Sequence, residues 1–63
     1  MSRETVRNRS GEIIGFIETE SSGKQVIFDD ELTRLGSYDP RENYTFDAQW
    51  NRVGSGNLLT TLL

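Results

Sequence analysis

An all-β meander of about three hairpins, roughly six short antiparallel strands with a short C-terminal helix, is the fold class that these 63 residues predict. Three observations lead there. A nine-residue segment ending in Gly occurs at residues 7–15, 28–36 and 46–54. Runs rich in β-branched and aromatic residues flank each segment. Four leucines, Leu58, Leu59, Leu62 and Leu63, crowd the C-terminus at the spacing of one helical stripe.

Aligned on Gly15, Gly36 and Gly54, the segments read RNRSGEIIG, FDDELTRLG and FDAQWNRVG. Their second position is Asn8, Asp29 or Asp47, residues whose side chains bond their own backbone two residues on and so start turns. Three positions later stands Gly11, which is free to take the left-handed conformation of a bulged hairpin. Each segment therefore reads as strand, turn, strand. Leu32 and Trp50 occupy the place of Gly11, and positive φ is costly for both. Those two turns are expected to differ from the first, with the large side chain folded back over the hairpin mouth. Gly36 and Gly54 are read as strand positions that a backbone or a ring approaches closely.

Along the chain, Arg3, Arg7 and Arg9 share one parity and would line one face of a first strand, where charge discourages edge pairing. In EIIGFIETE, Ile13, Gly15 and Ile17 fall on one face and Ile14, Phe16 and Glu18 on the other. Both faces begin apolar, which points to a two-sided core or an oligomer interface. KQVIFD sets Val26 and Phe28 opposite Ile27, and NYTFD sets Tyr44 beside Phe46. ESSGK and DPREN connect the hairpins. The tail SGNLLTTLL reads as a helix over about 57–63 with Asn57 as N-cap. A helix of two turns is unstable alone, so it must dock, either on its own sheet or on a second copy.

Phe28-Asp29 through Leu35-Gly36, Tyr38-Asp39-Pro40 and Phe46-Asp47 through Val53-Gly54 carry a resemblance to small bacterial and phage proteins built from Gly-punctuated β-hairpin repeats. These include the tyrosine-aspartate repeats of large toxin shells and the β-flower domains. The resemblance covers under half of the chain. It implies a repeat used as a building element without shared catalytic residues, and a phage or mobile-element origin. Leu32 and Trp50 depart from it where many such repeats carry Gly.

Length and composition bound the function. A chain of this size forms one domain, residues 1–63, and buries only about 60% of the surface it exposes when unfolded. It has no Cys and no His, so disulfides, thiolate zinc sites and the usual general base near neutral pH are absent. No cofactor or metal is expected. The acidic run Asp29 to Glu31 lacks the twelve-residue pattern of an EF-hand loop and reads as a solvated turn. GSGN at Gly54 to Asn57 has neither the length nor the Lys of a P-loop. Ten acidic against seven basic residues, a formal charge of −3, disfavour a nucleic-acid partner. The aromatics Tyr38, Tyr44, Phe46 and Trp50 read as core and cross-strand packing. With no apolar run of membrane-spanning length, no membrane partner and a cytoplasmic location are expected.

A marginal core is helped most readily by self-association. The expected function is accordingly that of a small homo-oligomeric assembly or protein-interaction module and not that of an enzyme, with Leu58, Leu59, Leu62, Leu63, Ile14 and Phe16 as the candidate interface. A second reading is a small acidic inhibitor that mimics DNA and occupies a basic site on a nucleic-acid enzyme.

Overall fold

The computed structural model describes residues 2–63. They form an all-β protein: β1 (Ser2–Arg7), β2 (Ile13–Thr19), β3 (Gln25–Asp29), β4 (Arg34–Asp39), β5 (Tyr44–Asp47) and β6 (Arg52–Ser55). These strands make one sheet in the order β1-β2-β3-β4-β5-β6, every neighbour antiparallel. A single 3-10 turn, Leu59–Leu62, ends the chain.

The three repeated turns share one hydrogen-bond scheme. In the first, Asn8 Oδ1 accepts the N–H groups of Ser10 and Glu12 at 2.9 and 3.0 Å, and Gly11 N–H donates to the Asn8 carbonyl. Asp29 Oδ1 takes Glu31 and Thr33 at 2.9 and 2.8 Å, with Leu32 N–H on the Asp29 carbonyl. Asp47 Oδ1 takes Gln49 and Asn51, both at 2.9 Å, with Trp50 N–H on the Asp47 carbonyl. The fourth residue of each turn is left-handed: φ is 82° at Gly11, 67° at Leu32 and 65° at Trp50. The expectation that the Leu32 and Trp50 turns differ from the first is thus corrected. Left-handed backbone costs an L-residue about 1–2 kcal/mol. The acceptor oxygen and the backbone bonds of each turn outweigh that, because releasing them would leave several donors unpaired.

Leu32 is 54% exposed, so little packing offsets its strain. Leu32→Gly should leave stability unchanged or raise it by up to about 1 kcal/mol. Leu32→Val, β-branched in the same conformation, should lose about 1–2 kcal/mol. Thermal melts of the two variants would check this order.

Each repeat also carries a β-bulge. Val6 pairs with Gly15 but Arg7 pairs with Ile13, Ile27 pairs with Gly36 but Phe28 with Arg34, and Thr45 pairs with Gly54 but Phe46 with Arg52. The extra residues are Ile14, Leu35 and Val53, the apolar residue before each repeated Gly. A bulge reverses the alternation of faces beyond it. Ile13, expected beside Gly15 and Ile17, instead falls in register with Arg7 on the opposite face. Arg34 and Arg52 are moved across the sheet in the same way, away from Gly36 and Gly54.

The glycines make room for the tail. A Cβ on Gly15 would stand 2.6 Å from Leu63 Cδ2, one on Gly36 2.5 Å from Leu62 Cδ1, and one on Gly54 2.8 Å from Leu58 Cδ1. One face of the sheet therefore holds a glycine stripe on which the leucines lie, with Ile27, 0% exposed, and Leu59, 1% exposed, as its core. Fully burying such a side chain contributes about 1.5–3 kcal/mol. Buried Thr45 anchors the crossing, donating its hydroxyl to the Gly56 carbonyl at 2.7 Å and accepting Leu58 N–H at 2.9 Å. Asn57 helps, with Nδ2 on Gln25 Oε1 at 2.8 Å and Oδ1 accepting Leu59 N–H at 3.2 Å. The helix expected over 57–63 is shorter and tighter than the leucine spacing suggests. Two adjacent β-branched threonines disfavour an α-helix, and the 3-10 turn sets Leu59 and Leu62 one above the other.

Candidate interaction face

No described element packs as a layer over the other face of the sheet. Register places Arg3, Phe16, Glu18, Val26, Phe28, Arg34, Ser37, Tyr44, Phe46 and Arg52 there. Trp50 folds back from its turn to join them, its ring 6.3 Å from that of Phe46 at an angle of 51°. The guanidinium of Arg34 lies 4.6 Å from the indole centroid and Lys24 Nζ 4.9 Å from it. Arg34 reaches in from the end of the sheet that carries the repeated turns, and Lys24 from the opposite end. The indole must consequently sit over the middle of the face.

Trp50 gains side-chain contacts that Leu32, in the same left-handed conformation, lacks. An aromatic pair contributes about 0.5–1.5 kcal/mol beyond area. Each cation over the ring adds about 0.5–1 kcal/mol. The sum exceeds the conformational cost, yet the ring remains 54% exposed. Two further cations rest on rings of this face, Arg52 4.7 Å from the Tyr44 centroid and Arg3 5.7 Å from that of Phe16. Arg3 also donates through Nε to Glu18 Oε1 at 3.0 Å, the ion pair found among the described residues. Lys24, Arg34 and Arg52 rest on aromatic carbon and make no ion pair among the described residues.

Arg34 Nη2 donates to the Ala48 carbonyl at 2.6 Å, which ties the guanidinium to the Trp50 turn. Its Nη1 is buried and unpartnered, as is the hydroxyl of Ser37, a residue 0% exposed between Val26 and Phe46. These are the buried side-chain polar atoms without a partner among the described residues, and both belong to one strand of this face. Such atoms cost about 1–3 kcal/mol where no acceptor arrives.

Of the acidic residues, Glu18 pairs with Arg3 on this face and Asp39 stands at its end opposite Tyr44. Asp29, Asp39 and Asp47 accept backbone N–H groups within turns. The Asn51 N–H, then that of Gln49, the Asn51 side chain and the nearby Arg34 charge hold the Asp47 carboxyl below its ordinary 3.8, against a smaller opposing effect of burial. A depressed folded pKa means stabilisation that is complete above the unfolded value and is lost as pH falls through the folded one. Asp47→Asn keeps an acceptor oxygen without the charge, so it should lower the melting temperature at neutrality by the part the charge contributes and remove that same part from the acid-induced fall below pH 3.8. Melts across the acid range would check it.

Among the described residues, no group of three or more Asp or Glu is placed to hold a metal ion. No described helix is long and apolar enough to cross a membrane. A shallow hollow of about 180 Å³ lies between the turns at 20–24 and 39–43, lined by Ser22, Lys24, Asp39, Pro40 and Arg41. Small-molecule sites usually run to about 300–1,000 Å³.

The chain matches no family model, no curated protein and no solved structure. The site is therefore judged on its own geometry. Of the residues that the sequence put forward as an interface, Leu58, Leu59, Leu62 and Leu63 lie together on the glycine stripe, with Leu59 fully covered and Leu63 41% exposed. Phe16 is on the opposite, open face, and Ile14 is the bulge residue beside it. The turn residues Asn8, Gly11, Asp29 and Asp47 are at the sheet end, and Gly36 and Gly54 are under the tail. Of the amino-terminal arginines, Arg3 is on the open face, Arg7 Nη1 donates to the Gly11 carbonyl at 2.8 Å, and Arg9 lies beyond the end of β1. Sequence reasoning missed Lys24, Arg34 and Arg52. Their signal was the recurring apolar-Gly pair, which marks a bulge and so carries the preceding Arg to the aromatic face.

Proposed function

We propose that this chain is an assembly module that binds a second copy of itself through the open aromatic face. The observation that carries the reading is Trp50, half-exposed at the centre of that face between Arg34 and Lys24 and beside Phe46. Trp, Tyr and Arg are the residues that most often dominate binding energy when a partner excludes water from them. A sheet one layer thick also gains most from such cover, because its second face holds apolar surface that water still touches. The leucines serve the fold in this reading, and the face opposite serves the partner. The acidic-mimic reading draws less support, because the carboxylates of Asp29, Asp39 and Asp47 are engaged by backbone and the aromatic face carries Arg and Lys.

Light scattering at two protein concentrations tests it. The parent chain should exceed monomer mass at the higher concentration. Trp50→Gly, which suits the left-handed turn and removes only the ring, should be monomeric at both. If the variant keeps the parent's mass, or if the parent is monomeric throughout, assembly through this face is overturned.

A further inference from the structure

We infer that the element received by the aromatic face is the acidic turn of a neighbouring copy, Asp30-Glu31-Leu32, so that copies join head to tail. The inference rests on the assembly reading above and names its partner surface. Lys24, Arg34 and Arg52 have no carboxylate within ion-pair distance, and neither Asp30 nor Glu31 has a cation among the described residues. Each half of a charge complement is thus present and unpaired in the chain.

Leu32 supplies the independent observation. It holds a left-handed φ of 67° where the first repeat has Gly, and it is 54% exposed with no ring or cation over it. Trp50, in the same conformation, recovers its cost from Phe46, Arg34 and Lys24. For Leu32 the hydrogen bonds of its turn carry that cost, while the side chain stays open to water, so a neighbour that covered it would add apolar burial the single chain lacks. Glu4, Glu20 and Glu42 are acidic as well, but none stands beside an exposed, strained apolar residue. In a neighbour, the Leu32 side chain would meet the Trp50 and Phe46 rings while the two carboxylates reached the cations around them. A contact between two different surfaces repeats, giving a ring if the rotation closes and a filament if it does not.

Charge reversal in separate copies decides the matter. One variant, Asp30→Lys with Glu31→Lys, spoils the turn and keeps the face. A second, Arg34→Glu with Trp50→Gly, spoils the face and keeps the turn. Each alone should be monomeric, at least about tenfold weaker in association than the parent. Mixed in equal amounts they should form a one-to-one heterodimer and nothing larger, because one sound face meets one sound turn. Parent assembly should also weaken as salt rises. If the turn variant assembles like the parent while the face variant is monomeric, the turn is not the partner and the assembly reading stands. If neither variant changes the parent's mass, both fail. Leu32→Gly, which fits the turn better than leucine does, gives a check on a folded chain, and retention of the parent's association by this variant overturns the inference.

Discussion

Gly36→Val should unfold the protein or sharply lower its melting temperature. A Cβ at this position would overlap the Phe46 carbonyl oxygen and stand 2.5 Å from Leu62 Cδ1. The first obstacle is backbone of the adjacent strand, which cannot rotate away as a side-chain end can. Overpacking of a close-packed interior costs about 1–3 kcal/mol and more where backbone must move. Native domains have about 0.05–0.15 kcal/mol per residue in hand, so a loss of about 3 kcal/mol consumes much of what a small domain has. A fall of at least about 12 °C in a thermal melt is expected. Gly11→Val meets open space and suffers only from its φ of 82°, so it should be milder. A Gly36→Val chain that melts within a few degrees of the parent would show that the tail does not lie against the stripe.

Leu59→Ala should cost about 2–5 kcal/mol, because this side chain is 1% exposed in the core with Ile27. Leu59→Asp should be worse, since the carboxylate would be buried with no partner. Leu63→Ala, at a residue 41% exposed, should lose much less. Urea melts of the three variants would order them. Equal losses at Leu59 and Leu63 would mean that the tail is loosely held and that the glycines under it serve another purpose.

Much of the architecture is legible in the residues themselves. Asn8, Asp29 and Asp47 mark three turns because an Asx oxygen bonds backbone only two to four residues away, an interaction that needs nothing from the rest of the chain. The repeated nine-residue segment marks three hairpins, and antiparallel neighbours joined by short turns give a meander without further information. The glycines at 15, 36 and 54 stand out as places of close approach. That the approaching groups are Leu63, Leu62 and Leu58 could not be read, because nothing local ties the tail to strands far earlier in the chain.

The aromatic face was the least legible feature. Alternation counted back from Gly36 and Gly54 sends Arg34 and Arg52 to the leucine side, and the bulges at Leu35 and Val53 send them to the other. A strand's side chains alternate by a local rule, so one extra residue inverts every assignment beyond it. Trp50 needed more still, for its place depends on Lys24 and Arg34 arriving from opposite ends of the sheet. By itself, then, the sequence determined the turns, the hairpin order and the need for glycine, all set by bonds and clashes within a few residues. Only the tertiary structure decided which face the leucines cover and which cations meet the aromatic rings, because both depend on contacts between segments distant along the chain and on a register that bulges shift.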